Sequence, residues 1–402
     1  MRYASMTDRL ASLGSDKWEL HARGRALALE GKPVIELTIG EPDIAPDSQL
    51  LDICNQAMRA GRTRYSNGRG EPSVLEALAA KYSARSGRAI TADNILCLPG
   101  TQTALFAVFM ALVEAGDQVL VPDPYYATYE SVIRAPGAEV VPVALRKENG
   151  FHLTPADLEA AITPQCRALL LNSPHNPSGA VLSREEIRAI GQICIKHDLW
   201  LVSDEVYEHL IFDAEFASPL DLPELAERTI VVSSISKSHA APGFRSGWAI
   251  GPQEFCARML PISESMLFGG QPFIADMTAH ALASDLPTSA IMREQYGRRA
   301  KMVAARLGKV AGLQPLPPEA GMFILIDTSA TGQSGETFAR GLLNNVLVSV
   351  MPGSSFGAQA ESLIRLSLTV PDEILQEACE RIAAHTAELM AQKGHLDLPV
   401  LA

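Results

Sequence analysis

Short apolar runs alternate with longer amphipathic stretches through the middle of this 402-residue chain. Several runs are apolar at every position, which is typical of strands in a sheet that is covered on both faces. The runs predict seven β-strands, at residues 95–98, 119–121, 139–143, 168–171, 199–203, 230–233 and 247–250. We therefore expect a sheet of about seven strands in this part of the chain.

The stretches between the predicted strands have the pattern of helices. Residues 183–197 begin with Ser183 and Glu186 at the spacing of a capping box, and residues 104–113 predict a buried apolar helix. This alternation of strands and helices indicates an α/β fold, in which a mostly parallel sheet is covered by helices. Functional groups of such a sheet gather at the carboxyl ends of its strands.

The last third of the chain has a different pattern. A long charged helix is predicted at 290–307, followed by strands at 321–326 and 363–368. These elements predict a smaller α+β unit, and we expect the N-terminal forty-odd residues to pack with it. The predicted division is a large domain at 46–285 and a small domain formed by 1–45 and 286–402, with the active site between them.

Composition narrows the class of protein. The chain is 47% hydrophobic and 20% charged, as expected for a soluble globular enzyme, and its net charge of -12 disfavours a nucleic-acid-binding surface. The six cysteines form no Cys-x-x-Cys pair, so we expect buried thiols in a reducing cytoplasm. The N-terminus is too polar for a signal peptide, and the longest apolar run, 104–113, is too short to span a bilayer.

A lysine and its neighbours provide the first candidate chemistry. The apolar run 229–232 is followed by Ser234, Ser236 and Lys237, and Arg245 comes eight residues later. A lysine at a strand end can form a Schiff base with an aldehyde cofactor, and hydroxyls with an arginine can hold a phosphate. A lone lysine is usually a solvated side chain, so this interpretation depends on the other parts of the site.

Two further segments follow predicted strands. Gly100, Thr101 and Gln102 precede an apolar helix, whose free N–H groups would suit a phosphate, although such a turn is often purely structural. The segment 172–179 contains Asn176, a candidate hydrogen-bond donor at the rim of a cofactor, in what is otherwise a rigid turn. His175 has no second ligand at a useful spacing, so we expect no metal site.

Asp204 ends another predicted strand and begins the motif Asp-Glu-Val-Tyr at 204–207. A carboxylate at this position is costly to bury without a partner. It would either cap a helix or pair with the protonated ring nitrogen of an electron-sink cofactor. Tyr207 would then donate to the phenolic oxygen of that cofactor.

These motifs together resemble a known family. Asn-Pro-Ser-Gly at 176–179, Asp-Glu-Val-Tyr at 204–207, Ser-x-Ser-Lys at 234–237 and Gly-Phe-Arg-Ser-Gly at 243–247 are similar to those of the class I/II aminotransferases, fold-type I enzymes that depend on pyridoxal phosphate. The resemblance extends from residue 40 to residue 365. Among subfamilies, the chain is most similar to bacterial arginine–pyruvate aminotransferases, on overall similarity that includes the opening Met-Arg-Tyr and the Trp18 segment.

The resemblance implies a role for each candidate residue. Lys237 would hold the cofactor and shuttle the proton, Asp204 would keep the ring nitrogen protonated, and Arg365 would bind the substrate α-carboxylate. The remaining roles concern the cofactor O3′ (Asn176, Tyr207), its phosphate (Gly100, Thr101, Gln102, Ser234, Arg245), its ring face (Tyr126), the phosphate of a neighbouring subunit (Tyr65) and the carboxylate end of the site (Gly40). A homodimer with shared active sites, acting on small amino and 2-oxo acids, is the expected assembly.

Several alternatives remain open on the sequence. The scaffold also carries lyases and decarboxylases, although a carboxylate clamp at Arg365 fits transamination best; a cofactor-sensing regulatory module is a further alternative. An aspartate aminotransferase would need a cation for the distal carboxylate, and 262–276 contains none. Other segments of the pocket could still supply a cation, such as Lys17 or Arg69. For a cationic substrate, Trp18 would cover the side chain, and the candidate carboxylate partners are Asp16, Glu19, Glu264 and Asp276.

Overall fold

The seven strands predicted from the apolar runs are all present in the computed structural model, which describes residues 1–11, 13 and 16–396. The strands are β1 (Ile35–Glu36), β2 (Ile95–Leu98), β3 (Gln118–Asp123), β4 (Glu139–Ala144), β5 (Cys166–Asn172), β6 (Trp200–Asp204), β7 (Thr229–Ser234), β8 (Gly247–Ile250), β9 (Gln314–Leu316), β10 (Phe323–Asp327), β11 (Val348–Ser349), β12 (Met351–Pro352) and β13 (Leu363–Ser367).

Helices fill the intervals between these strands. They are α1 (Ser5–Ala11), α2 (Glu19–Leu29), α3 (Ser48–Arg59), α4 (Pro72–Ser86), α5 (Thr101–Leu112), α6 (Tyr129–Arg134), α7 (Pro155–Ala161), α8 (Arg184–Lys196), α9 (Ile235–Ser238), α10 (Gln253–Leu267), α11 (Pro272–Ala283), α12 (Thr288–Leu307), α13 (Gly335–Val346) and α14 (Asp372–Leu396). The predicted capping box at the start of α8 is formed, because Ser183 and Glu186 bond to each other's backbone N–H groups.

The main sheet has seven strands in the order β2-β8-β7-β6-β5-β3-β4. All pairs are parallel except those of β8, which runs antiparallel to β2 and β7. The predicted mostly parallel sheet is therefore confirmed. In register, Asn172 lies beside Asp204, and Asp204 lies beside Val232. The carboxyl ends of β5, β6 and β7 thus form one edge on which the candidate residues meet.

Both faces of this sheet are buried, as the continuous apolar runs predict. Val202 packs in a core cluster with Leu105 of α5, whereas the preceding residue, Leu201, packs with Ile187 of α8 on the other face. Each side chain of this kind stabilises the fold by roughly 1.5–3 kcal/mol when fully buried. This two-sided packing fixes the sheet edge on which the candidate site is built.

A smaller sheet follows in the last third of the chain. It is antiparallel, in the order β12-β13-β10-β9, and its core is shared with α12, α13 and α14. The N-terminal segment joins it, because β1 pairs with β11 and α2 contacts α13. The predicted smaller unit is therefore present, but only part of the N-terminal segment joins it, because α1 contacts α6 beside the main sheet. The domain limits 1–45, 46–285 and 286–402 stay a prediction.

Two features concern the environment of the protein. All six cysteines are unpaired, and five of them are buried. No helix within residues 1–11, 13 and 16–396 is long and apolar enough to cross a membrane. The cytoplasmic location stays a prediction.

Candidate active site

A cavity of about 220 Å³ opens at the carboxyl edge of β5, β6 and β7. Its wall brings together all of the predicted site residues except Gly100, which lies directly behind it, and Tyr65, which is elsewhere. The predicted residues that line it are Gly40, Thr101, Gln102, Tyr126, Asn176, Asp204, Tyr207, Ser234, Lys237, Arg245 and Arg365. Residues separated by more than 300 positions in the chain therefore share one space.

Lys237 lies on the short helix α9, immediately after β7. Its Nζ donates to the carbonyl oxygen of Gly40 at 2.5 Å. Burial lowers the pKa of this amine to about 8, against the opposing influence of Glu41, while Arg365 and Arg245 lower it further. A substantial fraction of the amine is therefore neutral near physiological pH, as nucleophilic attack on an aldehyde requires.

Asp204 is the last residue of β6 and is only 4% exposed. Its Oδ2 accepts from the Tyr129 hydroxyl at 2.8 Å, and its Oδ1 accepts from the Val206 N–H at 3.2 Å. Burial raises the pKa of Asp204 to about 6. The chain turns after Asp204 without starting a helix, so the capping alternative does not apply. Among the described residues, no cation pairs with this carboxylate.

Arg365 is a buried guanidinium in the centre of β13. Its Nη1 donates to Asn176 Oδ1 at 2.9 Å, and its Nη2 donates to the carbonyl oxygen of Thr38 at 2.6 Å. Its plane is flanked by aromatic rings, with the centroids of Phe323 and Phe356 at 3.7 and 4.5 Å from Cζ. Burial lowers its pKa to about 10. No carboxylate among the described residues pairs with it, and its Nε has no partner there.

The loop after β5 is tied to the end of β6 by side-chain amides. The Asn176 N–H donates to Asn172 Oδ1 at 2.8 Å, and Asn172 Nδ2 donates to the carbonyl oxygen of Asp204 at 3.0 Å. Tyr207 is buried beside Asn176, and burial raises the pKa of its phenol. Both side chains thus remain neutral hydrogen-bonding groups on one wall.

The opposite end of the cavity has the features of an anion site. Gly100 precedes α5 with φ +82°, and a Cβ there would lie 2.5 Å from Arg245 Nη2. The buried Thr101 hydroxyl has no partner among the described residues. Ser234 Oγ accepts from the Ser236 N–H at 3.3 Å, which leaves its own proton free to donate. Hydroxyls, a guanidinium and the start of a helix therefore converge here.

Two predicted residues lie along the side of the cavity. Gln102 Oε1 accepts from the Thr128 hydroxyl at 2.7 Å, so its amide nitrogen is the group left for a ligand. Tyr126 meets Tyr129 edge to face, with ring centroids 5.6 Å apart. This contact fixes the Tyr126 ring against the segment that also supports Asp204.

Tyr65 does not line the cavity. It is 88% exposed and packs edge to face on Phe268, which is itself 66% exposed. Such exposure is unusual for two aromatic rings in contact.

Comparisons with known proteins identify the family of the chain. The family model for aminotransferase class I and II matches residues 32–382. The chain is 43% identical to the arginine–pyruvate transaminase AruH of Pseudomonas aeruginosa over 98% of this chain and 100% of that protein. It is 34% identical to the aspartate/prephenate aminotransferase of Thermus thermophilus over 90% of this chain and 94% of that protein.

Solved structures give the same result. The aspartate aminotransferase of Rhizobium meliloti superposes with a TM-score of 0.91 at 32% identity, covering 96% of this chain and 99% of that one. A double mutant of the Thermus thermophilus aspartate aminotransferase gives 0.90 at 33% identity, covering 96% and 100%. The chain belongs to the class I and II aminotransferases.

Enzymes of this family depend on pyridoxal phosphate. The residues of this aminotransferase fit that cofactor on physical grounds. The unpartnered Thr101 hydroxyl and Arg245 suit its phosphate, the buried Asp204 lacks the cation that a protonated pyridine nitrogen would supply, and the Lys237 amine suits its aldehyde.

Three residues of the cavity wall that support the predicted site residues were not themselves predicted from the sequence. Tyr129 holds Asp204, Asn172 joins two loops, and Phe323 stacks on Arg365. Asn172 ends an apolar strand, and that position was an available signal. Tyr129 and Phe323 carry no local signal, because their roles depend on contacts with residues 75 and 42 positions away.

Proposed function

We propose that this aminotransferase takes its amino group from arginine or a similar long amino acid and transfers it to pyruvate. The 43% identity to an arginine–pyruvate transaminase along the full chain supports this proposal. The structural observation that carries it is the charge of the cavity wall. Among the described residues there, the cations are Lys237, Arg245 and Arg365, and each has a task other than binding a distal carboxylate.

The two other candidate cations are already engaged. Lys17 Nζ lies 3.0 Å from Glu130 Oε2, and Arg69 Nη1 donates to three backbone carbonyls, those of Ala92, Asp93 and Ile95. Lys17 is neutralised by Glu130, the Arg69 guanidinium is turned onto backbone carbonyls, and neither side chain lines the cavity. This arrangement disfavours aspartate and is compatible with a neutral or cationic side chain.

The candidate carboxylates differ in whether each is already paired with a cation. Glu19 forms a fork with Arg340, and Asp276 forms one with Arg62. Glu264 is exposed beside Gly68, and no residue in the described part of the chain pairs with it. The Asp16 side chain lies outside the described residues. Glu264 is therefore the best remaining carboxylate for a substrate guanidinium, and Trp18, which lines the cavity, would cover the aliphatic stem.

The roles proposed for the site residues are these. Lys237 would bind the cofactor covalently and, once released, would accept the substrate Cα proton as general base. Asp204 would keep the ring nitrogen of the cofactor protonated, so that the cofactor would supply an electron sink for the Cα–H bond. Arg365 holds the α-carboxylate, with Gly40 at that end of the site. The other residues hold the cofactor O3′ (Asn176, Tyr207), its ring (Tyr126) and its phosphate (Gly100, Thr101, Gln102, Ser234, Arg245).

We also propose a homodimer with shared sites in the cytoplasm. The support for the dimer is the exposed pair Tyr65 and Phe268, whose aromatic surface suits burial against a second copy of the chain. In that arrangement Tyr65 reaches the phosphate in the partner's site. The unpaired cysteines suit a reducing compartment.

The test compares arginine, aspartate and alanine as donors with pyruvate held constant as acceptor. Arginine should have the highest kcat/KM, by about tenfold or more over aspartate, since pairing a desolvated charge contributes at least about 1.4 kcal/mol. If aspartate with 2-oxoglutarate is faster by tenfold or more, the arginine proposal is wrong and the enzyme is an aspartate aminotransferase.

A further inference from the structure

A buried group of charges lies directly behind the turn that carries Asp204 and Tyr207. We call it the Arg85 cluster; it consists of Lys81, Arg85, Glu205, Glu208, Ser218 and Asp221. Lys81 and Arg85 come from one face of α4, and the two glutamates come from the turn itself. None of its members lines the active-site cavity. The reaction described above assigns it no task.

Arg85 is the centre of the cluster and uses every nitrogen of its guanidinium. Nη1 donates to Glu205 Oε2 at 3.1 Å and to Glu208 Oε2 at 3.0 Å. Nε donates to Asp221 Oδ1 at 3.1 Å, and Nη2 donates to the Ser218 hydroxyl at 3.0 Å. A single side chain therefore joins α4, the turn after β6 and the loop before β7.

The cluster is well packed and strongly charged. Glu205 is fully buried, and the Arg85 guanidinium is stacked on the Tyr82 ring at 4.6 Å from its centroid. Lys81 Nζ contacts Glu208 Oε1 at 2.6 Å, so both carboxylate oxygens of Glu208 are held. Removing one partner of such a group leaves an uncompensated buried charge, which is strongly destabilising.

The turn alternates between the two sides. Asp204 and Tyr207 face the cavity, whereas Glu205 and Glu208 point away from it and bond to Arg85. The backbone of the same turn is fixed at its start, where the Glu205 N–H donates to the carbonyl oxygen of Val232 at 3.0 Å. The glutamate–arginine bonds thus hold the far side of the turn whose other side carries Asp204 and Tyr207.

We propose that Arg85 is a positioning residue for catalysis, acting through Glu205 and Glu208 to hold Asp204 and Tyr207 at the cofactor ring. The proposal rests on the proposed roles of Asp204 and Tyr207. A misplacement of about 1 Å at a reacting group can cost about a hundredfold in rate. Arg85 can therefore influence turnover strongly although it touches neither cofactor nor substrate.

The experiment separates positioning from simple stability. Arg85→Met breaks the cluster and leaves Glu205 without its cation. The double variant Arg85→Met/Glu205→Gln removes that unpaired charge but does not restore the bridge. Arg85→Lys tests a conservative replacement, and Lys147→Met is the matched control, because Lys147 is paired at 2.6 Å with the buried Asp327 away from the cavity. Each holoenzyme is measured for melting temperature, pyridoxal phosphate affinity, kcat, KM and visible absorbance against pH.

We expect the double variant to regain part of the melting temperature that Arg85→Met loses, since Asp221 still lacks its partner, while its kcat and cofactor affinity stay reduced by about tenfold or more. Its KM for the 2-oxo acid should change little, because Arg365 lies on another wall, and the pH at which the cofactor absorbance changes should shift. Arg85→Lys should recover only part of kcat, since an ammonium cannot bridge these four acceptors in a fixed fork. The control variant, Lys147→Met, should retain the wild-type kcat and cofactor affinity.

Recovery of kcat and cofactor affinity together with stability in the double variant would overturn the proposal. An equal loss of kcat and cofactor affinity in Lys147→Met would also overturn it. So would an Arg85→Met variant that keeps wild-type kcat and cofactor affinity. The proposed function has its own separate test. If Asp204→Asn retains full turnover, the role of Asp204 is wrong; if it loses turnover while the Arg85 variants do not, only the positioning inference fails.

Discussion

Replacing Asp204 with asparagine should make the cofactor-free protein more stable while nearly abolishing turnover. Burial raises the pKa of Asp204 from 3.8 to about 6, so the folded protein binds its proton more tightly than the unfolded chain does. An acid of this kind costs no stability below pH 3.8, and the cost grows between the two pKa values and is constant above them. Asparagine is neutral at every pH and keeps hydrogen-bonding groups for Tyr129 and Val206.

The size of the effect follows from the pKa values. At about 1.4 kcal/mol per pKa unit, the ionised carboxylate costs roughly 2 kcal/mol at pH 5 and roughly 3 kcal/mol at pH 8. The stability advantage of Asp204→Asn should therefore grow by roughly 1 kcal/mol between these pH values. Bound cofactor would reverse this, because its protonated nitrogen would supply the cation that the carboxylate lacks in the free protein.

The assay is denaturant unfolding of the cofactor-free wild type and variant at pH 5 and pH 8. Glu254→Gln is the control, because Glu254 is exposed, and it should change stability by less than about 0.5 kcal/mol at either pH. Turnover of cofactor-loaded Asp204→Asn should fall by about a hundredfold or more. A stability difference that does not depend on pH, or near-normal turnover at full cofactor occupancy, would refute the reasoning.

Three further predictions concern other parts of the site. Borohydride should fix the cofactor to the peptide carrying Lys237, and cofactor attachment to the free protein should accelerate as pH rises through about 8, where this amine loses its proton; a label on another lysine would contradict the assignment. Arg365→Lys should raise KM for donor and acceptor by about tenfold or more with unchanged cofactor absorbance, because a lysine cannot form the fork or the aromatic stack. If the variant loses its cofactor as well, the rise in KM would point to misfolding instead. Tyr65→Ala should weaken cofactor binding and leave subunit stability within about 0.5 kcal/mol, and a fully active monomer in sedimentation would exclude the shared site.

Much of the fold was predictable because its signals are local. Burial on both faces makes the central positions of strands such as β6 and β7 apolar, and polar residues that follow them at their carboxyl ends line the cavity. Asp204, Ser234 and Lys237 were identified in this way. The antiparallel direction of β8 was not predicted, because Gly247–Ile250 is as apolar as its parallel neighbours and carries no sign of its direction.

The parts that could not be predicted depend on contacts across the chain. Nothing near Arg85 in the sequence distinguishes it from a solvent-facing helical arginine, and its importance follows only from the three segments that meet around it. Lys17 was a possible substrate cation on the sequence, and the structure pairs it with Glu130, 113 positions away. Charge pairing between distant segments therefore decides which groups remain for ligands.

The net positive charge of the cavity wall suits the negative charges of its proposed ligands. Among the described residues that line it, three cations, Lys237, Arg245 and Arg365, stand against the single carboxylate of Asp204. Burial lowers the pKa of Lys237 and of Arg365, so the folded protein holds these positive charges at a cost. A cofactor phosphate beside Arg245 and a substrate carboxylate beside Arg365 would supply the missing negative charge. Because ligands that bind only the folded state stabilise it, the same uncompensated charges that weaken the empty protein provide its affinity for the cofactor and for the amino acid.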